Sequence, residues 1–359
     1  MKLLSVKAAR DLGPQFVRNK HDMVGQDGAY SIPLSNGTLW FFGDTLIGKR
    51  IPGKSLWYLG DVPVGAADMS GKGSIKKMIN NTGLILHNSS GRDGLNDFNY
   101  ILDETGELKN LIPLLPDEDH DEIRIWCLHG VELGEKLYLY FIKVRMLEKS
   151  EYILPVEFEI IGSGLAVGDS KTWEFRRIFH NNSDIWWDVR QPHFASTVLP
   201  ANGWIYCYGV VQDEADIQQC HLARVKPEKI EDYIAYEYFT GPPLVWSSDV
   251  DAAIPVFDGM PNELSVTWNA HLGCFLAVHS LALTGDLVGR TSPTPWGPWS
   301  DPVTLWTVEA KREIEVPYPV LIYAGKEHPE LSEKNGKIIY LTYIEFEEYY
   351  PHLVEIELT

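Results

Sequence analysis

The sequence predicts an all-β fold, a five-bladed β-propeller. Two observations carry this: one turn-and-strand pattern recurs five times, and long amphipathic helical patterning is scarce. The first copy is Asn36-Gly37-Thr38-Leu39-Trp40-Phe41-Phe42. The second is Gly134-Glu135-Lys136-Leu137-Tyr138-Leu139-Tyr140-Phe141 and the third Asn202-Gly203-Trp204-Ile205-Tyr206-Cys207-Tyr208. The fourth is Leu272-Gly273-Cys274-Phe275-Leu276 and the fifth Asn335-Gly336-Lys337-Ile338-Ile339-Tyr340. A strand-like run precedes each turn glycine, so each copy reads as a hairpin. The glycines are spaced by 97, 69, 70 and 63 residues. Each step suits a blade of about four strands. The longer first step implies an insertion at about 47–100 within a single domain spanning 1–359. Lys226 to Tyr233 reads as one short helix.

Composition narrows the class. A hydrophobic fraction of 45% is enough for a large core and excludes global disorder. The net charge of −19 repels nucleic-acid phosphates and anionic lipid, and no long basic run offsets it. A neutral ligand fits better, and a carbohydrate is the natural one for a chain with 12 Trp and 17 Tyr. The four cysteines, Cys127, Cys207, Cys220 and Cys274, form no CxxC pair and read as buried free thiols. No apolar run is long enough to span a membrane. The first residues lack the apolar stretch of a secretory leader, so the chain as given reads as soluble and cytoplasmic. A secreted or periplasmic location requires a leader already removed. Oligomeric state is left open.

The first hairpin carries the candidate chemistry. It contains Gln26-Asp27-Gly28-Ala29-Tyr30 and Phe42-Gly43-Asp44-Thr45. With Asn36-Gly37 as a two-residue turn, Asp44 faces Ala29 and Asp27 is its diagonal neighbour on the same face. Diagonal neighbours lie roughly 7–8 Å apart. An inverting glycosidase holds its two carboxyl groups about 6.5–9.5 Å apart, leaving room for a water. A slip of one residue would put the two on opposite faces. The competing reading is structural, since Asp-Gly is a common turn dipeptide and Asp before Thr forms Asx-turns.

Residues 24–45 resemble the opening of the domain-of-unknown-function 4185 family. Looser support comes from Gly162-Ser163-Gly164-Leu165-Ala166, Leu222-Ala223-Arg224-Val225, Glu263-Leu264-Ser265-Val266 and Trp296-Gly297-Pro298-Trp299-Ser300. The resemblance implies a five-bladed propeller and an endo-D-arabinanase-like activity on a furanose-containing glycan. It implies that Asp27 and Asp44 are the catalytic pair, which we read as general base and general acid respectively. The wider superfamily, with glycoside hydrolase families 43 and 32, uses an Asp on the first blade and a Glu further along. That pattern points to Glu263 as a rival acid.

Residues at the expected starts of other inner strands are candidates for sugar contact. Trp126 and His129 belong to blade two, Trp187, Asp188 and Arg190 to blade three, and Tyr318 to blade five. Trp126 or Trp187 would stack on a ring face; His129, Arg190 and Tyr318 would bond hydroxyls. Asp188 and Arg190 equally suit a structural ion pair. No phosphate loop, dinucleotide fingerprint, HExxH or GxSxG motif occurs. No redox cofactor is implied, and no ligand spacing argues for a metal such as calcium in the channel. A non-catalytic carbohydrate-binding propeller and a protein-interaction scaffold are the competing functions.

Overall fold

The computed structural model describes residues 2–60, 62–64, 68–147, 155–213, 215, 217–309 and 314–359. Five antiparallel sheets form the five blades of a propeller, and no α-helix occurs among the described residues. Each blade runs outward from an inner strand: Met23–Leu34, Ile123–Leu133, His193–Ala201, Ser265–Asn269 and Ile322–Glu327. The second strands are Gly37–Gly48, Lys136–Met146, Trp204–Gln212, Cys274–Ser280 and Ile338–Glu345. The five recurring turns all join an inner strand to its second strand.

The turns differ in detail. Asn202 and Gly203 have φ of 52° and 74°, as a two-residue turn with both residues left-handed requires. In the first hairpin the turn is Ser35-Asn36 rather than Asn36-Gly37, because Leu34 pairs with Gly37. In the fifth blade Asn335-Gly336 belongs to a 3-10 turn within a longer link. The expected helix at 226–233 is likewise replaced by 3-10 turns at Pro227–Lys229 and Tyr233–Ala235.

The second strands are buried on both faces because each blade packs between two others. In the first blade, Leu39 and Phe41 join the core shared with blade two, while Trp40 and Phe42 join the core shared with blade five. The period of two thus sorts a continuous apolar run into two interfaces. All four cysteines are free and buried. Of the stretch 47–100, Ile75–Ile79, Thr82–Leu86 and Phe98–Tyr100 supply outer strands of the first blade.

The ring is closed by the N-terminal strand. Val6–Pro14 pairs antiparallel with Pro351–Leu358 and becomes the outermost strand of blade five. Its sequence, Val-Lys-Ala-Ala-Arg-Asp-Leu-Gly-Pro, is mostly exposed and carries no apolar alternation. No helix of the described residues is long and apolar enough to cross a membrane.

Candidate active site

Two compensating bulges shape the first hairpin where its acids lie. Pairing is regular from Leu34–Gly37 to Tyr30–Phe41 and again at Gln26–Thr45. Between them Gly28 pairs with Phe42, so Ala29 is extra on one strand, while Gly43 and Asp44 together oppose Asp27 on the other. Bulges re-aim side chains and deepen twist. Gly28 and Ala29 have φ of 83° and 84°. A Cβ on Gly28 would lie 2.3 Å from the Tyr30 ring, so the position is closed to other residues. Gly43 lies against Asp27 and Trp126: a Cβ there would sit 3.4 Å from Asp27 Cβ and Trp126 Cδ1.

Both aspartates reach one cavity of about 280 Å³ at one end of the central channel, and Glu263 reaches it from blade four. Tyr323 and Tyr349 from blade five and Trp126 from blade two complete its polar floor. Its walls are apolar, with Trp57, Met69, Phe158, Leu283 and Phe346 among them. Trp126 meets Phe158 edge-on at 4.7 Å.

The three acids sit in different surroundings. Asp27 accepts from the Tyr323 hydroxyl at 2.8 Å and from Tyr349. Burial raises its affinity for a proton, against those hydrogen bonds, the Gly28 N–H and the Lys326 charge. Asp44 is 4% exposed, with Oδ1 3.5 Å from Arg124 Nε. Burial pushes its carboxyl up to about 7; Arg124 opposes this and the Asp27 charge adds to it. Glu263 precedes the inner strand of blade four and accepts from the Tyr30 hydroxyl. Burial raises it too, with Lys326 opposing. Buried carboxyls that hold protons near neutrality, beside others that accept several hydrogen bonds, have the makings of an acid–base set.

Of the six residues expected to touch sugar, Trp126 alone lines this cavity. His129 is further along its strand and faces a second chamber of about 450 Å³, where its Nδ1 accepts from Val198 N–H at 3.2 Å. Trp187 is fully buried in the core and donates to the Tyr238 hydroxyl at 2.9 Å. Asp188 and Arg190 form an exposed ion pair at 2.9 Å. Tyr318 is buried, stacks on Tyr58 and donates to Glu347. In blades three and five the displacement has one cause. The inner strands of blades three and five begin at His193 and Ile322, after the residues expected to start them. Trp187-Asp188 instead pairs with the third strand of blade two.

Sequence reasoning missed Tyr323, Tyr349, Arg124 and Lys326. Tyr323 is the second residue of the inner strand of blade five, and a register shift of one residue just after it hides its alignment. Tyr349 sits in a turn with φ of 56°, and its carbonyl accepts from Gln26 N–H at 2.7 Å. The run Glu347-Glu348-Tyr349-Tyr350 between two apolar strands is the signal that marked it. Elsewhere among the described residues, Asp68, His120 and Asp121 bring ligand atoms within 4.8 Å of one another, with His120 and Asp121 exposed.

Comparison with solved structures shows the same architecture. A protein from Bacteroides ovatus ATCC 8483, provisionally described as a hydrolase, superposes with a TM-score of 0.63 at 15% identity, covering 94% of this chain and 87% of its own. A GH43_1 enzyme from Xanthomonas citri gives 0.50 at 15% identity, covering 97% of this chain and 90% of its own. A family 117 glycoside hydrolase from Zobellia galactanivorans gives 0.50 at 9% identity, covering 98% and 90%. At these identities the likeness is one of fold. No curated protein matches the sequence. Residues 18–355 match the profile of a family described as a domain of unknown function, DUF4185. With nearly all of the propeller inside that match, the chain belongs to the DUF4185 family.

Proposed function

We propose that this protein is a glycosidase acting on a furanose-containing, arabinan-like glycan by an inverting acid–base mechanism. The observation that carries the reading is the meeting of Asp27, Asp44 and Glu263 in one aromatic-walled cavity. Asp27 is the general base: its hydrogen bonds from Tyr323 and Tyr349 favour the carboxylate that would activate a water. Asp44 is the general acid, since a carboxyl held near 7 keeps its proton for the leaving oxygen. Trp126 and the apolar walls offer faces for a sugar ring. Two propellers of the same fold are themselves described as glycoside hydrolases.

A second reading makes Glu263 the acid. It reaches the same cavity from the start of blade four and is less buried than Asp44. An inverting enzyme places acid and base on opposite sides of the bond.

The test compares Asp27→Asn, Asp44→Asn and Glu263→Gln on arabinan fragments and on an aryl arabinofuranoside with a good leaving group. Asp27→Asn is expected to lose turnover on both by about 10²–10⁴-fold while still binding glycan. The acid variant should fail on arabinan and keep most of its activity on the aryl substrate, which needs no protonation. Wild-type turnover in Asp27→Asn sinks the assignment. Glycan binding with no turnover by wild type makes the protein a non-catalytic carbohydrate-binding propeller.

A further inference from the structure

The cavity that holds the acids has two unlike sides. Around Asp27, blades four and five bring polar groups. Tyr323 donates to Asp27 at 2.8 Å, and Asn262 and Glu263 line the same space. Asn262 Oδ1 is buried with no hydrogen-bond partner among the described residues. An acceptor in that state is satisfied by a water or by a ligand hydroxyl. Leu321 and Phe346 line the cavity from blade five too, but beside the Tyr323 and Tyr349 hydroxyls.

Around Asp44 the neighbours come from blade two. Arg124 Nε is 3.5 Å from Asp44 Oδ1, and Trp126, two residues on, lies against Gly43. From Trp126 an apolar shelf runs across the blade. Trp126 pairs with Ile142 on the second strand, and Met146 pairs with Phe158 on the third. Ile142 and Met146 are four apart on one strand and share a face. With Leu128 and Val156, these are the residues that blade two contributes to the cavity. The Trp126 indole N–H is their single polar side-chain group. Ile142 is buried, whereas Phe158, edge-on to Trp126, is 39% exposed, so the shelf leads from Asp44 out to solvent.

A sugar ring on that shelf would set its hydroxyls against methyl, methylene and thioether groups. Each hydroxyl buried without a partner costs affinity. An alkyl or aryl group there gives up no hydrogen bond and gains by leaving water. The acid of an inverting glycosidase stands on the leaving-group side of the bond. Resting on the glycosidase reading with Asp44 as the acid, we propose that the leaving-group side of the cavity is a site for an apolar aglycone, which gives the protein a further activity on alkyl and aryl furanosides. Water bonds to the anomeric carbon as Asp27 takes its proton. The bond from that carbon to the aglycone oxygen breaks, and the oxygen takes the Asp44 proton. The products are the free furanose and an alcohol or phenol.

The experiment uses methyl, butyl and hexyl arabinofuranosides and their uncleavable 1-thio analogues with wild type and Phe158→Asn. In wild type, kcat/KM for the cleavable series and affinity for the thio series should both rise about two- to fourfold per methylene. In Phe158→Asn, a change at a partly exposed residue, the hexyl-to-methyl ratio should fall about fivefold or more. Hexyl binding no tighter than methyl binding in wild type overturns the proposal, as does a ratio unchanged in a folded Phe158→Asn. The two readings fail separately. Turnover that ignores chain length sinks the aglycone site and keeps the glycosidase. Chain-length-dependent binding with no turnover of any furanoside sinks the glycosidase, and the further activity with it, and keeps the apolar site.

Discussion

Asp44 illustrates how one buried carboxyl links stability to pH. Its folded value of about 7 lies above the ordinary Asp value of 3.8. The folded state therefore holds a proton that the unfolded chain releases between those two values. Stability contributed by the protonated group is full below about pH 4 and is lost as pH rises towards 7. Each tenfold change in proton affinity is worth about 1.4 kcal/mol, so the loss is on the order of 4 kcal/mol. Asp44→Asn should remove this dependence. Urea unfolding at pH 5 and pH 8 is expected to show wild type losing more stability than the variant across that range. Parallel losses in the two proteins would mean that Asp44 is ionised throughout.

At the scale of single elements, blade two gathers several buried charges into one network. In blade two Arg177 donates to Glu118 Oε1 at 2.6 Å, to Asp184 Oδ2 at 2.7 Å and to the Pro113 carbonyl at 2.8 Å. Lys143 adds contacts to Glu118 at 2.5 Å and to Asp184 at 3.4 Å. The network ties the link at 113–118 to the second and outer strands of the blade. Burial alone would raise Glu118, but hydrogen bonds from Arg177 and Lys143 outweigh it and bring the carboxyl down to about 2. This stabilises the fold above about pH 4.5 and is lost as pH falls towards 2. Arg177→Met leaves two buried carboxylates short of a cation and should cost roughly 3–5 kcal/mol at neutral pH. Denaturant melts should show that cost shrinking below pH 4, while the Asp44-linked pH dependence is unchanged. The bulged hairpin of blade one is the contrasting case, with a left-handed Gly28 and Ala29 beside the candidate base. Backbone in such conformations persists where surrounding packing fixes it, and it collects at functional sites.

Closure governs the whole molecule. The strand Val6–Pro14 is held to Pro351–Leu358, and Leu4 ahead of it packs into the core shared by blades four and five. Removing residues 2–14 would uncover the edge of Pro351–Leu358 and open that core. With about four ladder hydrogen bonds at roughly 1 kcal/mol each, the loss is on the order of 4 kcal/mol. Thermal melts should then fall by roughly 5 °C for a protein of this size. Light scattering should show association through the bared edge. A truncated protein that melts like the full chain would show that the ring is closed by other contacts.

The sequence alone determined the number of blades and the strand-to-strand turn of each, because Gly-containing turns and period-two apolar runs are local features. It also placed Asp27, Asp44, Glu263 and Trp126, which the tertiary structure brings to one cavity. The shared face of Asp27 and Asp44 was legible through strand parity. Their actual opposition was not: the turn lies one residue earlier, and two bulges that cancel in register leave no trace beyond Gly28 and Gly43. Where blades three and five begin their inner strands was equally illegible, so Trp187, Asp188, Arg190 and Tyr318 were placed too near the channel. Tyr323, Tyr349, Arg124 and Lys326 gain their meaning from neighbours up to about 300 positions away, as Tyr323 does from Asp27 at a separation of 296 residues. Such contacts come from ring closure, which depends on how five twisted sheets pack around an axis and on an N-terminal strand too polar to announce itself.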